Sequence, residues 1–267
     1  MSNQKSTLDD WMGDKAEEKK ESSLYDEALR LYENRRFREA FVLVNVAIEH
    51  DSSNYKYFNT KGLILRDLDR FSESKTAFDE ALSIKMDSEV LENKAMMLYK
   101  WANSSNDKKQ ALEIISEAIE ILPDNERFWY LKGSIYDCLS EPIEAQKCYL
   151  IAEGETEEVK RLEAQQDIIE NSTDTLINIT GTQFYFGNDI FKKGLTVDLV
   201  PEPDNPHDGD AIRVEIDGET VGYVANSDYT LIGNVKGASD IKEFVKTSRK
   251  AEIVFIYLDS YVIAKLI

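Results

Sequence analysis

A chain of 267 residues with 42% hydrophobic content is long enough for two domains of ordinary size, each with its own core. Its formal net charge of -19 favours solubility and argues against non-specific binding to nucleic acid or to an anionic membrane. Cys138 and Cys148 lie in no CxxC pair and have no histidine at metal-ligand spacing. They read as reduced thiols, and neither a metal nor a cofactor is expected. No run approaches the ~20 apolar residues of a membrane span, and the opening "MSNQKSTLDDWMGDKAEEKKESS" lacks a signal-peptide core. A cytoplasmic protein without membrane contact is expected, and the glycosylation sequons at Asn171 and Asn178 read as accidental.

Residues 1–22 are polar and aperiodic, the pattern of a disordered tail. Self-similarity follows from 23 to 154. "EALRLYENRRFREAFVLVNVAIE", "KGLILRDLDRFSESKTAFDEALS", "KAMMLYKWANSSNDKKQALEIISEAIE" and "KGSIYDCLSEPIEAQKCYLIAEG" align so that small residues recur in three columns. These are Ala28, Gly62, Ala95, Gly133; Ala40, Ser74, Ala111, Ala145; and Ala47, Ala81, Ala118, Ala152. A larger column, Val44, Phe78, Ile115, Tyr149, sits between the last two and is expected to plug the groove between neighbouring hairpins. A period near 34 with helical spacing inside each unit marks stacked helix hairpins, which need small residues where antiparallel helices approach. Trp129 opens the fourth unit, Pro123 stops the third, and "NSSND" reads as a lengthened turn.

These units resemble the tetratricopeptide repeat. The resemblance implies a concave surface that binds a protein or peptide. Some relatives clamp a terminal carboxylate there with basic and amide side chains. The matching first-repeat positions, Tyr25 and Leu29, carry neither, so no carboxylate clamp is expected. Residues 155–174, "TEEVKRLEAQQDIIENS" and its flanks, read as a polar capping helix and linker.

From 175 to 267 the period changes to that of strands. "LINITGTQFYF", "LTVDLVPE", "AIRVEIDG", "ETVGYVA", "AEIVFIYL" and "SYVIAKLI" are short, β-branched and aromatic. Asp217-Gly218 marks a hairpin turn, and one or two short helices are expected between 227 and 247. The fold class is therefore α+β multidomain: an α-solenoid of helix hairpins, then a small, partly closed, OB-like β-barrel.

The stretch "EPDNPHDGDAIRV", residues 202–214, holds the densest cluster of chemistry. As a calcium loop it fails, because Pro206 stands where a ligand is needed, Glu215 falls inside a strand, and no flanking helices are present. As a glycosidase carboxylate pair it lacks a facing acid. No nucleophile elbow, hydrolytic triad or zinc set accompanies it. As a rigid turn it fits: Pro203 and Pro206 fix φ, Asn205 and Asp208 bond nearby backbone, and His207 is displayed at the corner.

"GTQFYFG" followed by "LVPEPDNPHDGDAIRVEIDGETVGYV" resembles the HIRAN domain, a family found alone or fused to helicase motors. The resemblance implies a barrel that captures the free 3′-hydroxyl end of single-stranded DNA, with bases stacked on aromatics. Carried over by position, Asp208 accepts from the terminal hydroxyl, Asn205 supports the turn or the sugar-phosphate, and His207 replaces a tyrosine. Gln183 and Phe184 stand in place of an arginine and a tyrosine, Tyr185 is kept as an aromatic, and Tyr223 stands where a histidine lies. The lost arginine removes a phosphate-binding charge.

The chain is thus expected to be a non-enzymatic adaptor in DNA repair or replication. It has no P-loop and no helicase motor. The alternative is a protein-interaction scaffold without nucleic-acid binding, in which the barrel groove binds a peptide or nothing. The purely structural reading of the site is that Asn205, Asp208 and the prolines only build a turn and that Phe184 and Tyr185 lie in the barrel core.

Overall fold

The computed structural model of the protein describes residues 23–101, 104–246 and 249–267. The expected disordered tail, 1–22, lies outside the described residues. The chain divides into two compact units, with the division between Gly154 and Glu155.

The first unit is a run of helices: α1 over residues 23–33, then α2 (Phe37–His50), α3 (Tyr55–Asp67), α4 (Phe71–Ile84), α5 (Ser88–Trp101), α6 (Ser105–Ile121), α7 (Glu126–Cys138) and α8 (Pro142–Ala152). The turns inside the first, second and fourth hairpins repeat one geometry. Arg35, Asp69 and Ser140 adopt left-handed φ of 59°, 58° and 60°. In each turn the next amide reaches back five residues, Arg36 N to Leu31 O, Arg70 N to Leu65 O and Glu141 N to Tyr136 O. This closure satisfies helix-end carbonyls that otherwise lack a partner. The third hairpin differs because its insertion is partly helical. Ser104 caps α6 by accepting from Asp107 N at 3.2 Å, and its hydroxyl donates to the Asp107 carboxylate at 2.8 Å. As a result α6 runs 17 residues against 14 in α2 and α4.

The three small columns are buried throughout. The larger column packs within its own hairpin rather than only between hairpins. A Cβ on Gly62 would lie 2.6 Å from the Phe78 ring, and one on Gly133 would lie 2.6 Å from the Tyr149 ring. Glycine therefore stands where the opposed residue is aromatic. Alanine (Ala28, Ala95) stands where it is the smaller Val44 or Ile115, all buried in the same cores. Ser74 adds a buried bond from its hydroxyl to the Gly62 carbonyl at 2.7 Å.

The second unit begins with α9 (Thr156–Asn171), inside the segment expected to cap the repeats. Its C-terminal end packs on the barrel. Ile169 is buried, its Cγ2 would be 2.6 Å from a Cβ on Gly233, and Glu170 O accepts from Asn234 Nδ2 at 2.7 Å. Strands β1 (Leu176–Thr180), β2 (Thr196–Pro201), β3 (Ile212–Ile216), β4 (Glu219–Val224), β5 (Arg249–Tyr257) and β6 (Tyr261–Leu266), with the single-turn α10 (Ala238–Ile241), complete it. The sheet closes fully in the order β1-β4-β3-β2-β5-β6, where partial closure was expected. All pairs are antiparallel. β6 performs the closure, pairing with β5 through Ile253↔Ala264 and with β1 through Ile177↔Ala264, and so removes an open edge. Ile177, Ile179, Val197, Leu199, Val214, Ile253 and Val262 fill the interior. Asp217 (φ 51°) and Gly218 (φ 85°) form the expected β3–β4 turn, the conformation that type I′ hairpins require.

Two expected outcomes follow. Gly62→Ala recovers ~1 kcal/mol of helix propensity but drives a methyl into a buried ring, at about 1–3 kcal/mol for overpacking. Thermal denaturation is expected to show a lower midpoint, and adding Phe78→Ile, which recreates the Ala95/Ile115 pairing, is expected to restore part of the loss. A fragment spanning 155–267 is expected to melt cooperatively at a higher temperature than one spanning 176–267, which leaves Gly233 and Asn234 without their α9 partners; equal midpoints would contradict the docking of α9.

Candidate functional site: an aromatic groove at one end of the barrel

The 202–211 loop is pinched at its base by Glu202 N donating to Ala211 O at 2.8 Å. Inside it the Asn205 carboxamide is a hub. Its Oδ1 accepts from His207 N at 3.0 Å and Asp208 N at 3.3 Å, an Asx turn. Its Nδ2 donates to Glu202 Oε2 at 2.9 Å. The Glu202 carboxylate also pairs with Arg213 and accepts from the Tyr223 hydroxyl at 3.2 Å. Arg213 bonds Glu215 at 2.7 Å as well. The "EPDNPHDGDAIRV" cluster is therefore a turn braced to β3 and β4 by its own acid and arginine.

Asp208 is half-buried and already bonded on both oxygens. Oδ1 accepts from Asp210 N at 2.9 Å and Oδ2 from Asn226 Nδ2 at 2.8 Å. A carboxylate has about four acceptor sites, so each oxygen keeps one lone pair. Asn226 Oδ1 accepts from Ser239 N at 2.8 Å, which fixes the loop after β4 against the start of α10. Asn178, 2% exposed on β1, steadies the same loop through a 2.6 Å bond from its Nδ2 to Thr230 O. Asp210 bonds Ser239 Oγ and Lys242 Nζ, each at 2.9 Å, and the Lys242 ammonium holds its carboxyl below the usual range.

These elements enclose a groove of about 520 Å³ lined by Thr180, Tyr185, Asn205, His207, Asp208, Ala211, Tyr223, Val224, Asn226, Ser227 and Thr230. Tyr185 and Tyr223 stand with ring centroids 6.4 Å apart and planes at 43°. Gly222 makes this possible, because a Cβ there would lie 2.8 Å from Thr180 O and force β4 away from β1. Burial, with the neighbouring Tyr185 and Glu202, pushes the Tyr223 phenol up to about 12, so it is a neutral donor at physiological pH. Among the described residues that line the groove, Asp208 is the only carboxylate and none is a lysine or arginine.

Of the sequence-derived site residues, Tyr185, Asn205, His207, Asp208 and Tyr223 converge on this groove. Gln183 and Phe184 do not line it. "LINITGTQFYF" is not one strand: Gly181 turns the chain at φ 73°, and Thr182–Phe184 form a 3-10 turn. Neither Phe184 nor Tyr185 fills the barrel core; Phe184 is 80% exposed and Tyr185 42%. Sequence reasoning missed Thr180, Glu202, Asn226, Ser227 and Thr230. The polar run "ANSDYT" after β4 was the available signal, since antiparallel geometry returns the end of β4 to the start of β3, where the 202–211 loop arrives.

Residues 173–235 match the family model of the HIRAN domain. The HIRAN match contains the whole lining of the groove and stops before β5 and β6, the strands that close the barrel. No curated protein matches the chain. Solved structures similar to it include MamA 41-end from Desulfovibrio magneticus RS-1, at 20% identity and TM-score 0.45, covering 55% of this chain and 86% of that one. Pseudomonas aeruginosa pilF is similar at 15% identity and TM-score 0.46, covering 58% and 66%. TTC0263, described as a thermophilic TPR protein in Thermus thermophilus, is similar at 17% identity and TM-score 0.42, covering 50% and 75%.

Asn205→Ala removes the acceptor for two amides and a donor to Glu202. The expected cost is about 1–3 kcal/mol from the two backbone amides left unpaired, read as a lower melting temperature of the barrel unit. Loss of the distinct backbone amide resonances of His207 and Asp208 by NMR should accompany it.

Proposed function

We propose that the chain is a non-enzymatic two-part adaptor. The helical array recruits a protein or peptide, and the groove of the HIRAN segment receives the terminal nucleoside of a single strand with a free 3′-hydroxyl. The observation that carries this reading is the pairing, in one groove, of the Tyr185 and Tyr223 rings with the Asp208 carboxylate. An aromatic wall suits a base of any sequence, at ~1–3 kcal/mol per stacked base. The amides of Asn205 and Asn226 and the hydroxyls of Thr180, Ser227 and Thr230 suit the edges of a neutral nucleoside. The spare lone pairs of Asp208 suit a hydroxyl donor and oppose a phosphate. With no lysine or arginine among the described lining residues, the electrostatic contribution at the groove is small, which fits capture of an unphosphorylated end. The thiols outside any disulfide, exposed Cys138 and buried Cys148, support a reducing, cytoplasmic setting. Among the described residues no helix is long and apolar enough to cross a membrane. Repair or replication is the setting in which free 3′-hydroxyl ends arise.

A second reading, a protein-interaction scaffold without nucleic acid, draws on one observation: both Asp208 oxygens already have internal partners. Fluorescence anisotropy separates the two. An oligonucleotide ending in 3′-hydroxyl is expected to bind more tightly than the same strand ending in 3′-phosphate, by about 1–3 kcal/mol for the lost donor and the mispaired charge. Asp208→Asn, which keeps the shape of the turn, is expected to reduce that preference. Equal affinities, or no binding of either strand at low salt, leave the scaffold reading standing.

A further inference from the structure

A second cavity, of about 540 Å³, opens in the barrel unit and is lined by Thr175, Lys236, Asp240, Ile241, Phe244, Arg249 and Leu266. It is distinct from the groove. Thr175 precedes β1 and Thr180 ends it, so the two cavities lie at opposite ends of that strand, ~17 Å apart at ~3.4 Å per residue. Its cations, Lys236 and Arg249, fall outside the segment that matches the HIRAN family model.

Lys236 and Arg249 are exposed, and among the described residues neither side chain has an ion-pair or hydrogen-bond partner. This sets them apart from nearby cations: Lys242 is tied to Asp210, Lys246 to Glu243 and Lys250 to Asp198. The single acid of the cavity, Asp240, is engaged in accepting from Gly237 N at 2.9 Å. Phe244, 68% exposed, and the buried Ile241 line the same cavity. Two cations without a partner among the described residues, beside an exposed ring in a chain of net charge -19, form a local reversal of sign in which a phosphate meets charge and an adjoining base meets a stacking surface. The start of α10 joins the two sites, since Ser239 N bonds Asn226 of the groove and the next residue, Asp240, lines the second cavity.

We propose that Lys236 and Arg249 form a phosphate-binding site with Phe244 as its stacking face, and that it holds a backbone phosphate of the strand whose terminal nucleoside occupies the groove. The source of the phosphate rests on the function proposed above; the site itself does not. This arrangement divides the work of binding. The groove, with no lysine or arginine among its described lining residues, reads the neutral end, and the second cavity supplies positive charge.

The full chain and its Lys236→Gln/Arg249→Gln variant, whose altered side chains are exposed, test this with two probes. Inorganic tripolyphosphate, followed by NMR shifts of the Lys236 and Arg249 amides or the substituted positions, is expected to saturate with the parent chain and not with the variant. A dodecamer with a free 3′-hydroxyl reaches both cavities, whereas a dinucleotide fills only the groove. The variant is expected to bind the dodecamer more weakly, with the slope of log affinity against log salt less negative by ~0.7 for one phosphate no longer neutralised on a single strand. Its affinity for the dinucleotide is expected to stay unchanged, and Phe244→Ala is expected to weaken the dodecamer without altering the salt slope. Saturable tripolyphosphate binding without oligonucleotide binding supports the phosphate site and removes the nucleic-acid reading of the groove. Equal dodecamer affinity and salt slope in parent and variant, with no saturable tripolyphosphate shift, overturns the proposal and leaves the groove reading intact.

Discussion

The Asn205 carboxamide is the interaction on which the groove depends. One side chain holds two consecutive backbone amides and a carboxylate, and that carboxylate holds Arg213 of β3 and Tyr223 of β4. Each bond is worth only ~1 kcal/mol net, yet each fixes the geometry of the next. The turn places Asp208, Asp208 orients Asn226, and Asn226 anchors the start of α10. The prolines on either side, Pro203 and Pro206, restrict the unfolded loop and so lower the entropy lost when it closes.

The helical unit obeys a different constraint, one of volume. Its hairpins can approach only where the sum of two opposed side chains stays nearly constant. Glycine against Phe78 or Tyr149 and alanine against Val44 or Ile115 are two solutions to that sum. Interiors pack like organic crystals, so a methyl too many is felt as strongly as one too few. The left-handed turns at Arg35, Asp69 and Ser140 then repeat because each hairpin must reverse direction over the same distance.

Charge is distributed unevenly in the barrel unit. Acids near the groove are neutralised inside the fold, Glu202 and Glu215 by Arg213 and Asp210 by Lys242, which leaves Asp208 as the charge that faces the groove. The cations Lys236 and Arg249 stand at the far end of β1. A net charge of -19 therefore describes the field at a distance and not the field that a ligand meets within a Debye length of about 8–10 Å.

Much of the architecture was legible in the residues themselves. A period near 34 with small residues in phase can be met only by stacked hairpins, and strand alternation with Asp217-Gly218 can be met only by a β-hairpin, because both patterns follow from local geometry. The turn chemistry of Asn205 was legible for the same reason, since its bonds span three residues or fewer. What required the tertiary structure was every relation between residues distant along the chain. Full closure depends on the last strand, β6, pairing with the first, β1. The place of α9 depends on Ile169 meeting Gly233. The internal engagement of Asp208 depends on Asn226, and the exposure of Phe184 depends on Gly181 ending β1 where alternation alone would continue it. The types and spacing of residues determined which elements form; only the folded chain decided which carboxylates are spent inside it and which cations have no partner among the described residues.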